Sequence, residues 1–131
     1  MKQDMVAGLL VRDYRLLLHN IKHGPVRIEP PGGKKHPQET WEQATERELW
    51  EEVGMRARVL GLFGTYDTSS PKGEFLIRMY WCEGEGEPLI REPRKHQTLG
   101  WYSCGQMEEF QRTCLLAPNL VAALPQLRTY L

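Results

Sequence analysis

The 131-residue chain has no apolar stretch near the ~20 residues that a membrane-spanning helix needs, so no membrane partner is expected. It has no excess of either charge, since 17 Lys and Arg balance 17 Asp and Glu. A surface that grips a nucleic-acid polymer needs a basic face, and no basic tract is present. Cysteine is scarce: Cys82, Cys104 and Cys114 are an odd set without close pair spacing. That pattern fits free thiols in a cytoplasmic protein better than a disulfide scaffold. The opening residues MKQDMVAGLLVRDYR have too short an apolar part, with acidic flanks, to read as a signal peptide. Internal repeats and low-complexity stretches are also missing. What is present is 40% hydrophobic residues with four Trp, enough for a single domain over residues 1–131 with a real core.

Met5–Val11 and Arg15–Asn20 are apolar runs parted by Arg12-Asp13-Tyr14, which reads as a β-hairpin. Ile21–Arg27 reads as a loop, and Pro30-Pro31-Gly32-Gly33 should stop any regular element. Thr40 opens a helix, with Gln43 completing a capping box, and Gly54 closes it. Trp41, Ala44, Thr45, Leu49 and Val53 form its core-facing stripe. Strands are expected over Arg56–Tyr66, Glu74–Cys82 and Leu99–Ser103, with a loop at Asp67–Gly73 and a charged connection at Glu83–Lys95. Gln106–Phe110 reads as a helical turn and Asn119–Tyr130 as a helix, which either begins near Pro118 and kinks at Pro125 or begins at Pro125. Strands on both sides of a central helix, with another helix last, imply an α/β fold: an α/β/α sandwich around a mixed β-sheet.

The central helix carries the chemistry. Residues three and four apart share a helix face, so Glu48, Glu51 and Glu52 project together. Like charges this close repel unless something positive sits among them. Clustered carboxylate oxygens suit Mg²⁺, with Mn²⁺ as substitute, and carboxylate-held magnesium usually takes phosphate as its other ligand. Metal-assisted cleavage at a phosphate is therefore expected.

The segment from Gly33 to Met55 resembles the Nudix box, G-x5-E-x7-R-E-U-x-E-E-x-G-U, where U is a bulky aliphatic residue. Gly33, Glu39, Arg47, Glu48, Leu49, Glu51, Glu52, Gly54 and Met55 fill every defined position. At ordinary residue frequencies such a coincidence arises on the order of once in a million chains. The resemblance implies an α/β/α fold and hydrolysis of a nucleoside diphosphate linked to another group X. It implies that Glu48, Glu51 and Glu52 ligate Mg²⁺, with the Gly32 carbonyl as a further ligand. Arg47 would pair with Glu39 and orient a catalytic glutamate. Glu92 resembles the further metal ligand or general base that many members carry in this loop, with Glu83, Glu85 and Glu87 as competitors. Which carboxylate takes the proton from water is left open.

The substrate expected is a small nucleotide, bound by a monomer or homodimer. Lys34, beside the glycine pair, is the best phosphate partner among Lys34, Lys35 and His36; Arg15, His19 and Arg27 are further candidates for phosphate or base contact. Tyr66, Trp81 and Trp101 offer rings for a base, although core filling competes for them. The short chain is similar to compact members that cleave nucleoside triphosphates. Ser70-Pro71 instead resembles a mark of the ADP-ribose-cleaving subgroup. A member that binds nucleotide without turnover is a third reading, against which the intact glutamates argue.

Overall fold

The computed structural model describes residues 2–21, 27–70 and 73–131. Strand β1 (Gln3–Arg12) turns into β2 (Arg15–Ile21) through Asp13 and Tyr14, whose φ values of 49° and 61° are those of a tight two-residue hairpin turn. β3 (Ile28–Glu29) and β4 (Gly32–Lys34) precede helix α1 (Trp41–Val53). β5 (Ala57–Ser70) and β6 (Gly73–Gly84) follow, then β7 (His96–Tyr102), α2 (Cys104–Arg112) and α3 (Pro118–Leu127).

Among the described residues, seven strands make one mixed sheet in the order β3-β2-β1-β6-β5, with β4 added to β1 and β7 to β2. β1 and β6 run parallel from Gln3↔Phe75 to Leu10↔Cys82, and the other pairs are antiparallel. The first hairpin is paired only at Val11↔Leu16 and Arg12↔Arg15. Beyond these residues its strands part: β1 takes β4 through Met5↔Lys34, Val6↔Gly33 and Ala7↔Gly32, while β2 takes β7 and β3. That divergence opens the sheet beside α1.

Two apolar cores cover the sheet. Leu49 and Val53 of α1 pack with Leu10, Leu17, Tyr80 and Cys82 on one face. Met107 of α2 and Leu120, Ala123, Leu124 and Leu127 of α3 pack with Leu9, Leu16, Leu18 and Met79 on the other. The result is the α/β/α layering expected from the order of elements. No helix among the described residues is long and apolar enough to cross a membrane.

Helix α1 has the expected limits. Thr40 accepts from the Gln43 amide, the Gln43 side chain accepts from the Thr40 amide, and Gly54 ends the helix at φ 68°. Ala44, Thr45, Leu49 and Val53 are buried, while Trp41 is only partly so. Other boundaries differ from expectation. The Pro30–Gly33 stop yields to β4, because β1 offers free backbone partners that satisfy Gly32–Lys34. β5 runs on through Asp67 to Ser70, and β6 starts at Gly73; the intervening Pro71 and Lys72 lie outside the described residues, as do residues 22–26 of the first expected loop. β7 starts at His96, three residues early, and α2 is a nine-residue helix capped by Ser103 and Gln106. Helix α3 begins at Pro118, with Pro125 exposed in its last turns.

Candidate active site

The site lies where α1 faces the parted strands. Gly32 and Gly33 allow the approach. A Cβ on Gly32 would lie 2.0 Å from the Val6 carbonyl oxygen, and one on Gly33 would lie 2.6 Å from the Glu48 carboxylate. Gly32 therefore needs glycine for space against backbone, whereas a side chain at Gly33 would displace the Glu48 carboxylate.

Arg47 is the positive centre of the cluster. Its Nε and one terminal nitrogen donate to the two oxygens of Glu39, at 3.0 and 2.7 Å. That nitrogen also donates to the Lys34 carbonyl at 2.8 Å. The other terminal nitrogen donates to Glu48 Oε1 at 2.9 Å and Glu51 Oε2 at 3.1 Å. The planar fork thus ties β4, the segment before α1 and one face of α1 together. The guanidinium holds the Glu39 carboxyl down to about 2, and Glu39 in turn makes Arg47 harder to deprotonate. Glu48 and Glu51 each keep a second oxygen clear of Arg47.

Glu52 sits deeper, with a side chain only 7% exposed. The Gly32 amide donates to its Oε2 at 3.3 Å. Burial, then the neighbouring Glu48 charge, pushes the Glu52 carboxyl up to about 9, and burial raises Glu48 as well. A buried and a partly buried acid that resist ionisation together are a donor set that a divalent cation fits: its charge would replace the proton. Glu48, Glu51, Glu52 and the Gly32 carbonyl are the groups that could hold it.

Against Glu52 lie two imidazoles. His19 Nε2 is 3.6 Å and His96 Nε2 3.9 Å from Glu52 Oε2, and the rings stack at 4.1 Å between centroids. Burial, then the other imidazole, pulls His19 down to about 3, and burial lowers His96. His19 is therefore a buried neighbour of Glu52, in a setting that disfavours its charged form. Arg27 pairs with Glu29 at 3.3 Å, and Glu29 lies opposite His19 on β3, its carboxyl pushed up to about 7 by burial.

The 83–95 connection docks on the end of α1. The Arg91 amide donates to the Glu52 carbonyl and the Arg91 guanidinium to that of Trp50, over whose ring it lies. This docking brings Glu92 close enough for its charge to raise Glu52, and Glu92 pairs with Lys95 at 3.1 Å. Of its competitors, Glu83 pairs with Arg58 and Glu87 with Arg12. Lys34 is exposed at the end of β4, next to the glycine pair.

Other residues stand apart. Arg15 is at the hairpin tip, four residues along β2 from His19, or roughly 13 Å of strand. Trp81 is packed edge-on by Phe63 and Tyr130, Tyr66 borders the same core, and Trp101 lies under Arg12 against the α1-side core. Pro71 lies outside the described residues. Two site residues escaped sequence reasoning. His96 lies outside the strand expected from Leu99, and its spacing four residues after Glu92 is the one local signal for it. Glu29, a lone acid before two prolines, gave none.

The family model for the NUDIX domain matches residues 1–122. The chain is similar to a MutT NUDIX hydrolase from Burkholderia pseudomallei, with 28% identity and TM-score 0.73 over 80% of this chain and 85% of that one. The E. coli ORF135 protein is 27% identical, with TM-score 0.79 over 95% of this chain and 88% of that one. An ADP-ribose pyrophosphatase from Streptococcus suis shares the fold at 15% identity, with TM-score 0.66 over 80% and 76% of the two chains.

Proposed function

The chain belongs to the Nudix hydrolase family, and from that premise we propose that it is a Mg²⁺-dependent, MutT-like enzyme converting a nucleoside triphosphate to the monophosphate and pyrophosphate. The observation that carries the reading is the Arg47 fork, which aligns Glu48 and Glu51 beside the buried Glu52.

In this reading Glu48, Glu51, Glu52 and the Gly32 carbonyl would hold the magnesium. When bound, it neutralises the phosphates, orients them and acidifies a water. Lys34 takes a phosphate oxygen, its backbone fixed through the Arg47 bond to its carbonyl. Water attacks a phosphorus of the α–β anhydride, its proton passes to a carboxylate, and the bridging P–O bond breaks to release the monophosphate and pyrophosphate. The proton acceptor is a box glutamate or Glu92, which stands at the rim with Lys95. Arg47 touches neither water nor phosphate in this scheme and acts as a positioning residue.

A second reading, ADP-ribose or nucleotide-sugar cleavage, rests on Ser70-Pro71. Product identification separates them: a triphosphate yields pyrophosphate, while ADP-ribose yields AMP and ribose 5-phosphate. We expect kcat/KM under matched Mg²⁺ to favour triphosphates. A preference of tenfold or more for ADP-ribose, about 1.4 kcal/mol, promotes the second reading. No turnover of either, nor of dinucleoside polyphosphates or nucleotide sugars, points to a non-catalytic binder. We further propose a cytoplasmic monomer or homodimer without nucleic-acid polymer or membrane partners; size-exclusion chromatography with light scattering tests the assembly state.

A further inference from the structure

His19, His96 and Glu52 come from three elements, β2, β7 and α1, and their ligand atoms lie within 4.8 Å of one another. All three side chains are buried. In a tetrahedral shell with bonds of roughly 2.0–2.2 Å, neighbouring ligand atoms are roughly 3.4 Å apart. The 3.6 and 3.9 Å separations from Glu52 Oε2 exceed this by a few tenths of an ångström, while the two imidazole nitrogens, within 4.8 Å of each other, would close by up to about 1.4 Å on taking an ion. The His19 ring also donates to the Pro30 carbonyl. A metal-binding histidine usually makes such a bond through its other nitrogen, which fixes its tautomer. His96 Nδ1 is buried without a hydrogen-bond partner among the described residues. The ring is therefore not held there to complete a hydrogen-bond network; its Nε2 faces Glu52.

We propose that His19, His96 and Glu52 form a second metal centre, which takes Zn²⁺ or another borderline transition ion in preference to Mg²⁺. Oxygen-only sets suit Mg²⁺, whereas imidazole nitrogen suits Zn²⁺, Cu²⁺ and their neighbours. Three protein ligands leave a fourth position open. The centre shares Glu52 with the carboxylate trio but draws its selectivity from two residues outside it, so it stands independently of the hydrolytic reading.

The test uses untagged, chelator-treated protein carrying His23→Gln and His36→Gln, which leaves His19 and His96 as the only histidines of the four. Titration with Cu²⁺ under electron paramagnetic resonance should give one ion per chain with splitting from two nitrogens. Zn²⁺ should displace it, and a hundredfold excess of Mg²⁺ should not. Adding His96→Gln should weaken Zn²⁺ binding at least tenfold, while Glu51→Gln should change it less than threefold. An oxygen-only Cu²⁺ spectrum in the parent overturns the proposal without any site variant having to fold. Unchanged Zn²⁺ affinity in a folded His96→Gln protein also overturns it. Mg²⁺-supported turnover is scored separately: its absence in a chain that binds Cu²⁺ through two nitrogens removes the hydrolytic reading and leaves this one.

Discussion

Replacing Arg47 with alanine deletes five hydrogen bonds at once: two to Glu39, one each to Glu48 and Glu51, and one to the Lys34 carbonyl. Breaking a fully buried pair costs about 3–5 kcal/mol, while exposed pairs contribute about 0–1 kcal/mol. Arg47 is 23% exposed, Glu39 16% and Glu51 49%, so the loss should fall between these limits, at about 2–3 kcal/mol. At roughly 4 °C per kcal/mol for a domain of this size, Tm should drop by about 8–12 °C. Arg47→Lys keeps the charge but not the fork, so it should recover less than half of that loss. In a double-mutant cycle with Glu39→Gln the two losses should fail to add by about 1 kcal/mol or more. Activity should fall about 10- to 100-fold, the scale for partners that orient metal ligands. The fall should appear in kcat and Mg²⁺ dependence more than in KM. Thermal unfolding with steady-state kinetics decides it: an alanine variant within about 0.5 kcal/mol of the parent, with normal kcat, refutes the positioning role.

Glu52→Gln should reduce Mg²⁺-supported turnover by at least about 10²-fold yet raise Tm without metal, since it removes a buried group that resists ionisation; near-normal turnover in this variant sinks the ligand assignment. The raised Glu52 carboxyl also fixes a pH dependence: between pH 7 and 9 the metal-free fold holds a proton that the unfolded chain has released, so stability should decline as pH rises, by up to about 1.4 kcal/mol per pH unit. Saturating Mg²⁺ should abolish that slope, and a Tm that climbs over the same range in chelator contradicts it. Gly33→Ala should spare the fold but weaken Mg²⁺ binding at least tenfold, because its Cβ meets the Glu48 carboxylate, whereas Gly32→Ala meets β1 backbone and should unfold the chain; calorimetric titration and circular dichroism separate the two.

Helix α1 was legible because its signals are local: Thr40 and Gln43 lie three residues apart, and Gly54 adopts the left-handed conformation that ends the helix. The glutamate face followed from the same periodicity. β4 was not legible, because Gly32 to Lys34 gain strand geometry from β1, more than twenty residues earlier. His19 is a candidate for phosphate or base contact from its sequence alone; its burial 3.6 Å from Glu52 depends on other elements, and nothing near residue 19 announces it. His96 meets it only through the β2–β7 ladder, a pairing of residues far apart in the chain. Periodicity reports which residues share one element, while the charge state of an acid depends on what other elements bring to it.

The parallel ladder between β1 and β6 joins residues 72 positions apart, from Gln3↔Phe75 to Leu10↔Cys82. A growing chain therefore displays the apolar segment Val6–Leu10 long before its permanent neighbour exists. Pairing of such sequence separation is slow, because a large loop must close before any contact rewards it. Newborn chains halted before residue 73 should depend on chaperones to stay dispersed, and the N-terminal third should be the last part to resist proteases during refolding. Since β4 and the Glu52 pocket hang from that same strand, the chemistry of the molecule becomes available only when its first and sixth strands have found each other.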